Sequence, residues 1–290
     1  MEKMTDQQLI EELRERFDMN RRALQDLQTL TRKLEVVNNM LQDSEALKSQ
    51  FLSNIRNEIN NPLSSIMGLS RQLMDGTGSD PQKMAAIIHA EAFNLDFQLH
   101  NIFLAAELEA GEVAPSVSRT DIAGLVVGAF DMFRYQIEEK KLKFVSEVPE
   151  ELLFVSDAEK LQIVLNNLIA NAIEFSLEGG KITVAAESND GLLCLKVADS
   201  GIGIAPEYQD KVFDRFRQVE SGSTKGHRGH GLGLSIIRSV CDLLGGNVEL
   251  ESDLGKGCCF TLTIPEIDAD VTDVLAKDGN FFLFEEGEKY

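Results

Sequence analysis

The chain has 290 residues, of which 43% are hydrophobic and 26% charged, and this composition suits a globular protein with more than one domain. The net charge of -20 and the absence of tryptophan argue against binding to nucleic acid or to anionic membranes. No apolar run approaches the ~18 residues that span a bilayer, so we expect no membrane insertion. A polar N-terminus and four cysteines without paired spacing predict a cytoplasmic protein.

Residues 1–48 have the pattern of a coiled coil. Apolar side chains recur there at alternating spacings of three and four, at Leu27, Leu30, Leu34, Val37 and Leu41. This heptad seam predicts a parallel coiled coil that carries a signal along the helix axis. A single amphipathic helix that packs on a globular core is the alternative.

Residues 49–112 have the pattern of a helical hairpin. The apolar positions continue past Pro62, which should kink the first helix rather than end it. The turn Asp75–Pro81 separates it from a second helix that runs to about Glu109, with Ser79 or Asp80 as its cap. The hairpin exposes more apolar surface than it can bury alone, so we expect a homodimer that forms a four-helix bundle.

Glu109–Asp121 is predicted to be a loop at a domain boundary. Residues 118–266 alternate between predicted helices such as Ala158–Phe175 and predicted strands such as "LLFVSD", "LLCLKVAD" and "NVELESD", which is typical of an α+β sandwich with a mixed sheet and helices on one face. Residues 267–290 form an acidic tail, and its apolar patch Phe281–Phe284 is a candidate for docking. The predicted fold class is therefore multidomain, with a helical coiled coil and hairpin followed by the α+β sandwich.

Two motifs in the predicted sandwich suggest a nucleotide site. The sequence "LNNLIANAIEFS" places Asn167 and Asn171 on one helix face, where amide oxygens can bind Mg²⁺, although such pairs more often cap helices or face solvent. The sequence "DSGIGI" follows a strand, and its Asp199 can accept a hydrogen bond from an exocyclic amine such as that of adenine. Gly201 and Gly203 permit close backbone approach, but an ordinary turn is the alternative for this motif.

A third motif, "GHGLGLSII", is a glycine-rich loop that runs into a helix, whose first N–H groups can bind phosphate. The Gly/Ser-rich segment before it is positively charged in an otherwise acidic chain. Arg215 and Lys225 in this segment predict a lid over nucleotide phosphates, with a merely solvated loop as the alternative.

In this order the motifs resemble those of sensor histidine kinases, whose ATP-binding domain has the Bergerat-type fold of gyrase, heat-shock protein 90 and MutL. "LNNLIANAIEFS" is similar to the family's N box, "DSGIGI" to its first glycine box, "VFDRFRQ" to its F box and "GHGLGL" to its second glycine box. The hairpin segment "FLSNIRNEINNPLSS" resembles the phosphoacceptor motif. The likeness covers roughly residues 47–265.

The resemblance implies ATP (or ADP) and Mg²⁺ as cofactors. Asn171 would bind Mg²⁺ with Asn167 beside it, and Asp199 would hold the adenine amine. The residues that would shape the pocket and lid are Gly201, Gly203, Gly229, Gly231, Leu232 and Gly233. The implied partners are a second copy of the chain, a response regulator receiver domain and an upstream sensor domain or sensor protein.

The sequence departs from the family at two positions. Asn57 stands where the family has the phosphoacceptor histidine, and a delocalised amide nitrogen is not a nucleophile. Glu174 stands where the family often has a lysine that faces the phosphates, which predicts weaker nucleotide binding. Glu58 and Asn61 keep the spacing that, in the family, orients the water used to dephosphorylate the response regulator.

These features predict a two-component signalling protein that does not autophosphorylate and acts as a phosphatase, scaffold or regulator. One alternative is an active histidine kinase in which Asn57 is an engineered change or is bypassed. The other is a conformational ATPase. The ATPase relatives carry a glutamate one helical turn before the Mg²⁺-binding asparagine, and because Asn167 cannot act as that base, the sequence favours the kinase branch.

Overall fold

The computed structural model describes residues 6–77, 80–111, 113–215, 231–269 and 275–276. In the first helix the description covers the backbone throughout and only part of the side chains. The chain forms two compact units, residues 1–53 and residues 54–290. None of the helices in the described ranges is long and apolar enough to cross a membrane.

The first helix, α1 (Asp6–Met74), contains Pro62 and continues through it, as the sequence predicted. The predicted heptad positions Leu27, Leu30, Leu34, Val37 and Leu41 are between 53% and 62% exposed. The apolar row of a single chain therefore remains open to solvent, and the coiled coil stays a prediction.

The second helix, α2 (Pro81–Ala110), begins directly after its N-capping residue Asp80. The Asp80 carboxylate accepts a hydrogen bond from the backbone N–H of Lys83, and Pro81 occupies the first turn, where its missing N–H costs nothing. Gly111 ends the helix in a left-handed conformation with φ of 69°. Of the two predicted caps, Asp80 is the one the structure shows, and Ser79 lies outside the described residues.

The remaining elements form the predicted α+β region. In chain order they are β1 (Ser118–Asp121), α3 (Ile122–Glu139), β2 (Lys143–Glu147), β3 (Leu153–Ser156), α4 (Ala158–Phe175), β4 (Lys181–Asn189), β5 (Leu192–Asp199), α5 (Pro206–Gln209), α6 (Gly233–Leu243), β6 (Asn247–Asp253), β7 (Gly257–Pro265) and β8 (Leu275–Ala276).

Five strands form a mixed sheet in the order β2-β4-β5-β7-β6, in which only β2 and β4 pair in parallel. Alternate residues of the central strands are buried, including Val184, Leu195 and Leu262. Helices α4 and α6 contact this sheet, and α3 packs on α4. The predicted fold class, a helical N-terminal region followed by a two-layer sandwich with a mixed sheet, is confirmed.

A second, smaller sheet has the order β3-β1-β8 and was not predicted. Strand β3 was expected in the main sheet, but it pairs with β1, a four-residue segment that the sequence suggested was loop. Residues of the predicted tail also take part, because β8 pairs with β1 and the backbone N–H of Ile267 donates to the Val155 carbonyl. The patch Phe281–Phe284 lies outside the described residues.

Candidate nucleotide site

Helix α4 carries both asparagines of the first motif on its buried face. The carboxylate of Asp157 caps this helix by accepting from the Lys160 N–H at 3.0 Å, which sets the register of the motif. Asn167 is 3% exposed, and its amide donates to the carbonyl of Ile163 at 2.9 Å. Asn171 lies one turn further on, and its buried Nδ2 has no hydrogen-bond partner among the described residues. A buried unpaired amide is a place where a ligand would be stabilised.

The start of α6 approaches these asparagines closely because its first residue is glycine. A Cβ on Gly233 would lie 2.8 Å from Asn167 Oδ1 and 3.7 Å from Asn171 Nδ2. The capping residue Leu232 is 2% exposed and offers no side-chain hydrogen bond to the first turn, so the N–H groups there keep their capacity to bind an anion. Gly231, with φ of 67°, leads the chain into this turn. The first and third sequence motifs therefore meet at one site.

Asp199 ends strand β5, and backbone donors position its carboxylate. Its Oδ1 accepts from the N–H of Gly201 at 2.8 Å and from the N–H of Cys258 at 3.3 Å. No donor among the described residues reaches Oδ2, which leaves that oxygen to accept from a ligand amine. Burial raises the pKa of Asp199 above its ordinary value of 3.8, and the two backbone hydrogen bonds lower it by less.

Glycines around Asp199 bring backbones closer than any side chain would permit. A Cβ on Gly201 would lie 2.4 Å from the Phe175 carbonyl oxygen. Only a glycine at this position therefore lets the second motif pack against the end of α4. Gly203 has φ of 68°, and its Cβ would lie 2.0 Å from the Asp253 carbonyl oxygen. Gly257, with φ of 91°, is packed equally closely against the carbonyl of Asp199.

Gly257 and Cys258 also belong to this site, although none of the sequence motifs includes them. Their signal was the glycine pair "GKG", which leads into strand β7 and is weak because many turns carry such pairs. Burial raises the pKa of the Cys258 thiol to about 11, with smaller contributions from neighbouring groups. The thiol therefore stays protonated, and this residue supports Asp199 through its backbone.

A cavity of about 600 Å³ lies between the hairpin and the α+β region. Asn61, Pro62 and Ser65 of α1 line one side of it, and Asn171 and Glu174 of α4 line the other. The hairpin motif and the first nucleotide motif therefore share one cavity. The Asn61 side chain is exposed, whereas the placements of the Asn57 and Glu58 side chains lie outside the description.

Lys140 brings a positive charge to the wall of this cavity near Glu174. Its Nζ donates to the backbone carbonyls of Ile173, Glu174 and Ser176 at 2.6, 2.8 and 3.3 Å. Since the last carbonyls of a helix lack partners within the helix, this ammonium group caps the C-terminus of α4 and opposes its negative dipole end.

The predicted lid is described only at its two ends. Phe213 anchors the first end by packing edge-on against Phe260, with the Arg238 guanidinium 4.5 Å above its ring. Arg215 forms a 3.3 Å ion pair with Glu109 of α2, so here it contacts the hairpin. Lys225 and Gly229 lie outside the described residues.

Two family models match the chain in succession. The His Kinase A (phospho-acceptor) domain matches residues 47–111, and the histidine kinase-, DNA gyrase B-, and HSP90-like ATPase matches residues 156–268. The chain belongs to the sensor histidine kinase family. The predicted resemblance is therefore confirmed, and the two matches cover the hairpin and the site around Asn171 and Asp199.

Relatives of this histidine kinase homologue include the sensor protein SrrB of Staphylococcus aureus strain MRSA252, which is 28% identical over 225 residues. That match covers 77% of this chain and 39% of SrrB, so the chain spans about two fifths of the length of this relative.

Solved structures share the fold. ShkA, crystallised at full length in complex with AMPPNP, has 26% identity and a TM-score of 0.55, covering 76% of this chain and 46% of ShkA. The Acinetobacter baumannii histidine kinase AdeS has 22% identity and a TM-score of 0.53, covering 72% of this chain and 97% of AdeS.

The donor set of this histidine kinase homologue fits a Mg²⁺ ion that is bound together with phosphate. Among the described residues no cluster of three or more histidine, cysteine, aspartate or glutamate side chains is placed to hold a metal alone. The amide of Asn171 supplies one neutral oxygen, and Mg²⁺ commonly takes few protein ligands and completes its shell with phosphate and water. The unpaired atom of Asn171 is Nδ2, a hydrogen-bond donor, so it marks a place for a phosphate oxygen rather than for the ion itself.

Proposed function

We propose that this member of the sensor histidine kinase family binds Mg²⁺·ATP, does not autophosphorylate, and acts on a response regulator as a phosphatase, scaffold or regulator. The observation that carries the proposal is the pairing of a nucleotide site with a phosphoacceptor motif that has Asn57 at the acceptor position.

The site geometry supports the proposed roles of Asn171 and Asp199 in nucleotide binding, and the family resemblance supplies the remaining ones. Asn171 would bind Mg²⁺ with Asn167 beside it, and the bound ion would neutralise charge on the phosphates. Asp199 Oδ2 would accept from the adenine amine, since Oδ1 is occupied by backbone donors. The N–H groups after Gly231 and Leu232 would bind phosphate oxygens, with Gly229, Arg215 and Lys225 in the lid.

Glu174 lines the same cavity as Asn171, which supports a position of its carboxylate near the phosphates of the proposed site. Repulsion between this carboxylate and the phosphates should weaken nucleotide binding unless a cation intervenes. Lys140 lines the cavity as well, but its hydrogen bonds to the α4 carbonyls already engage the ammonium group.

Asn57 is the reason why we propose that the hairpin does not become phosphorylated. Phosphoryl transfer to the hairpin needs a nitrogen lone pair, and the amide nitrogen of asparagine is delocalised into its carbonyl. Glu58 and Asn61 can still hydrogen-bond a water molecule, and Asn61 is exposed at the cavity. These two residues are the proposed phosphatase element toward a phosphorylated receiver domain.

The proposed partners follow from the family. The crystal structure of the relative ThkA in complex with the response regulator protein TrrA matches this chain at 24% identity with a TM-score of 0.50, covering 78% of this chain and 64% of that one. We propose a homodimer through α1 and α2, a receiver domain as partner, an upstream sensor domain or protein as input, and a cytoplasmic location, where ATP is available.

Incubation with γ-labelled ATP and Mg²⁺ tests the proposal. We expect the wild type to bind the nucleotide and to take up no acid-labile label. Acid-labile label on the wild-type chain would contradict the proposal. It would instead indicate an active kinase that bypasses Asn57. Steady phosphate release without a response regulator would favour the conformational ATPase.

The variant Asn57→His separates a missing acceptor from a defective nucleotide site. Acid-labile label on this variant would show that the nucleotide site is competent and that only the nucleophile is missing. If the variant binds nucleotide but stays unlabelled, Glu174 or the lid limits transfer. Asn54→His, three residues earlier on α1, is the matched control and should remain unlabelled.

A further inference from the structure

A reciprocal pair of amide hydrogen bonds connects the second hairpin helix to helix α4. Asn101 of α2 donates from Nδ2 to Asn167 Oδ1 at 3.1 Å, and Asn167 Nδ2 donates back to Asn101 Oδ1 at 2.9 Å. The second N–H of Asn167 goes to the carbonyl of Ile163 at 2.9 Å, so every polar atom of this side chain has a partner. Both asparagines are buried, at 9% and 3% exposure, and Asn101 belongs to none of the sequence motifs.

Packing contacts beside this amide pair hold α2 against the α+β region. Toward the N-terminus of α2, Phe93 and Phe97 pack edge-on against Phe133 of α3, with ring centroids 6.0 and 5.8 Å away. Helix α2 also contacts α6 directly. The two amide hydrogen bonds therefore form in a buried interface, where they fix the plane of the Asn167 amide.

The oxygen of Asn167 lies beside the groups that we propose as donors to nucleotide phosphates. A Cβ on Gly233 would lie 2.8 Å from Asn167 Oδ1 and 3.7 Å from Asn171 Nδ2, so both amide atoms border the first turn of α6. Asn171 Nδ2 has no hydrogen-bond partner among the described residues, and Leu232 gives that turn no side-chain cap. Because Asn167 Oδ1 accepts from Asn101, these donors are left to a phosphate.

Loss of Asn101 would leave Asn167 Oδ1 as a buried acceptor without its donor. An unpaired buried acceptor is costly, and asparagine is among the best residues for capping the start of a helix. The donors that border this oxygen are the first N–H groups of α6 and Asn171 Nδ2, which are the groups that a phosphate would need. An Asn167 side chain released from Asn101 would therefore occupy phosphate donors with its own oxygen.

We propose that Asn101 is a positioning residue that holds the Asn167 oxygen away from the phosphate donors, so that docking of the hairpin and binding of nucleotide phosphates favour each other. This inference rests on the proposed nucleotide site and needs no metal ion on Asn167. By linkage, bound nucleotide should stabilise the docked hairpin by the same factor by which docking strengthens nucleotide binding. A signal that moves α2 away from α4 would then weaken nucleotide binding by way of Asn167.

The test compares the affinities of the chain of residues 1–290 for AMPPNP and for adenosine, measured by calorimetric titration in Mg²⁺. We expect Asn101→Ala to weaken AMPPNP binding about fivefold or more and to leave adenosine binding unchanged, because adenosine has no phosphates with which Asn167 competes. Asn101→Leu fills a similar volume without hydrogen bonds and should give the same pattern. Asn94→Ala is the control and should change neither affinity, since Asn94 accepts from Gln136 at 3.4 Å elsewhere on α2.

Two further readouts separate positioning from a general loss of structure. In the Asn167→Ala background, Asn101→Ala should cause no further loss of AMPPNP affinity, because the competing oxygen is absent. Hydrogen exchange of residues 93–109 should slow when AMPPNP binds to the wild type, and adenosine should not slow it.

Three results would overturn the positioning role and leave the proposed function standing. They are equal losses of affinity for AMPPNP and adenosine, unchanged AMPPNP affinity in both Asn101 variants, and a loss that persists in the Asn167→Ala background. Failure of the wild type to bind AMPPNP would overturn the positioning role and the proposed function together.

Discussion

The half-buried carboxylate of Asp199 lowers the free energy of unfolding when it is charged. Burial disfavours its charged form, whereas the N–H groups of Gly201 and Cys258 favour it. Because the pKa is higher in the folded than in the unfolded chain, the folded protein binds this proton more tightly. The stabilising contribution of Asp199 is therefore fully present below its ordinary pKa of 3.8 and is lost as the pH rises toward the folded value.

Asp199→Asn should remove this pH dependence. The amide oxygen of asparagine can accept the same two backbone hydrogen bonds without carrying charge. We expect the difference in free energy of unfolding, variant minus wild type, to increase as the pH rises from 3.8. This difference should become constant above the pKa of Asp199 in the folded protein. Urea titrations across this range measure it, and a constant difference would contradict the prediction.

The same variant should lose affinity for adenine nucleotides by about tenfold or more, because the new amide N–H faces the amine donor of the base. Calorimetric titration with AMPPNP at neutral pH measures the loss. A guanine nucleotide is the control, since its binding should not decrease in the variant. Equal AMPPNP affinity of the two proteins would remove Asp199 from the adenine site.

Gly203, in the loop after β5, and Gly255, in the turn between β6 and β7, lie in neighbouring loops and offer a matched test of close packing. Gly203 and Gly255 both have positive φ, but a Cβ on Gly203 would lie 2.0 Å from the Asp253 carbonyl oxygen, whereas one on Gly255 meets nothing within 4 Å. We expect Gly255→Ala to cost about 1 kcal/mol from backbone strain alone. Gly203→Ala should cost about 3 kcal/mol or more in urea unfolding. Similar losses in the two variants would contradict the packing argument.

Among the elements, α4 depends on a residue outside it. Lys140 follows α3 and donates to three carbonyls at the end of α4, so the C-terminus of the helix that carries both asparagines is capped from a neighbouring element. This cap positions Glu174 and the chain that leads to Gly201, since the Phe175 carbonyl lies against Gly201.

Lys140→Met should lower the free energy of unfolding by about 2 kcal/mol, because the three carbonyls lose a charged donor in a half-buried place. Lys141→Met is the control. Its ion pair with Glu178 has both side chains largely exposed, so the variant should stay within about 0.5 kcal/mol of the wild type. Thermal and urea unfolding both measure the difference, and equal losses would exclude a capping role for Lys140.

At the scale of the whole molecule, the exposed apolar row of α1 predicts self-association. Leu30 and Leu34 are 57% and 62% exposed in the single chain, and a coiled coil would bury them. We expect light scattering to show that the wild type is a dimer. The double variant Leu30→Asp, Leu34→Asp should weaken this dimer strongly. Gln28→Asp with Asn39→Asp adds the same charge off the seam and should leave the dimer intact. Dissociation in both double variants would reject the seam.

Much of the fold follows from local sequence patterns. The bounds of α4, β5 and β6 agree with those predicted, because capping residues, helical periodicity and strand alternation involve neighbours in the chain. The small sheet escaped prediction, since β1 has only four residues and its pairing with β3 depends on a partner distant in sequence.

The sequence by itself determined the family, the order of the motifs and the presence of Asn57 at the position that matches the family's acceptor histidine, because each is a property of residue type and spacing. Only the tertiary structure decided that Asn101 meets Asn167 across 66 residues, that Gly257 lies against Asp199, and that Arg215 reaches the hairpin. These contacts depend on how whole elements pack, and the side chains that form them carry no local periodicity from which sequence reasoning can start.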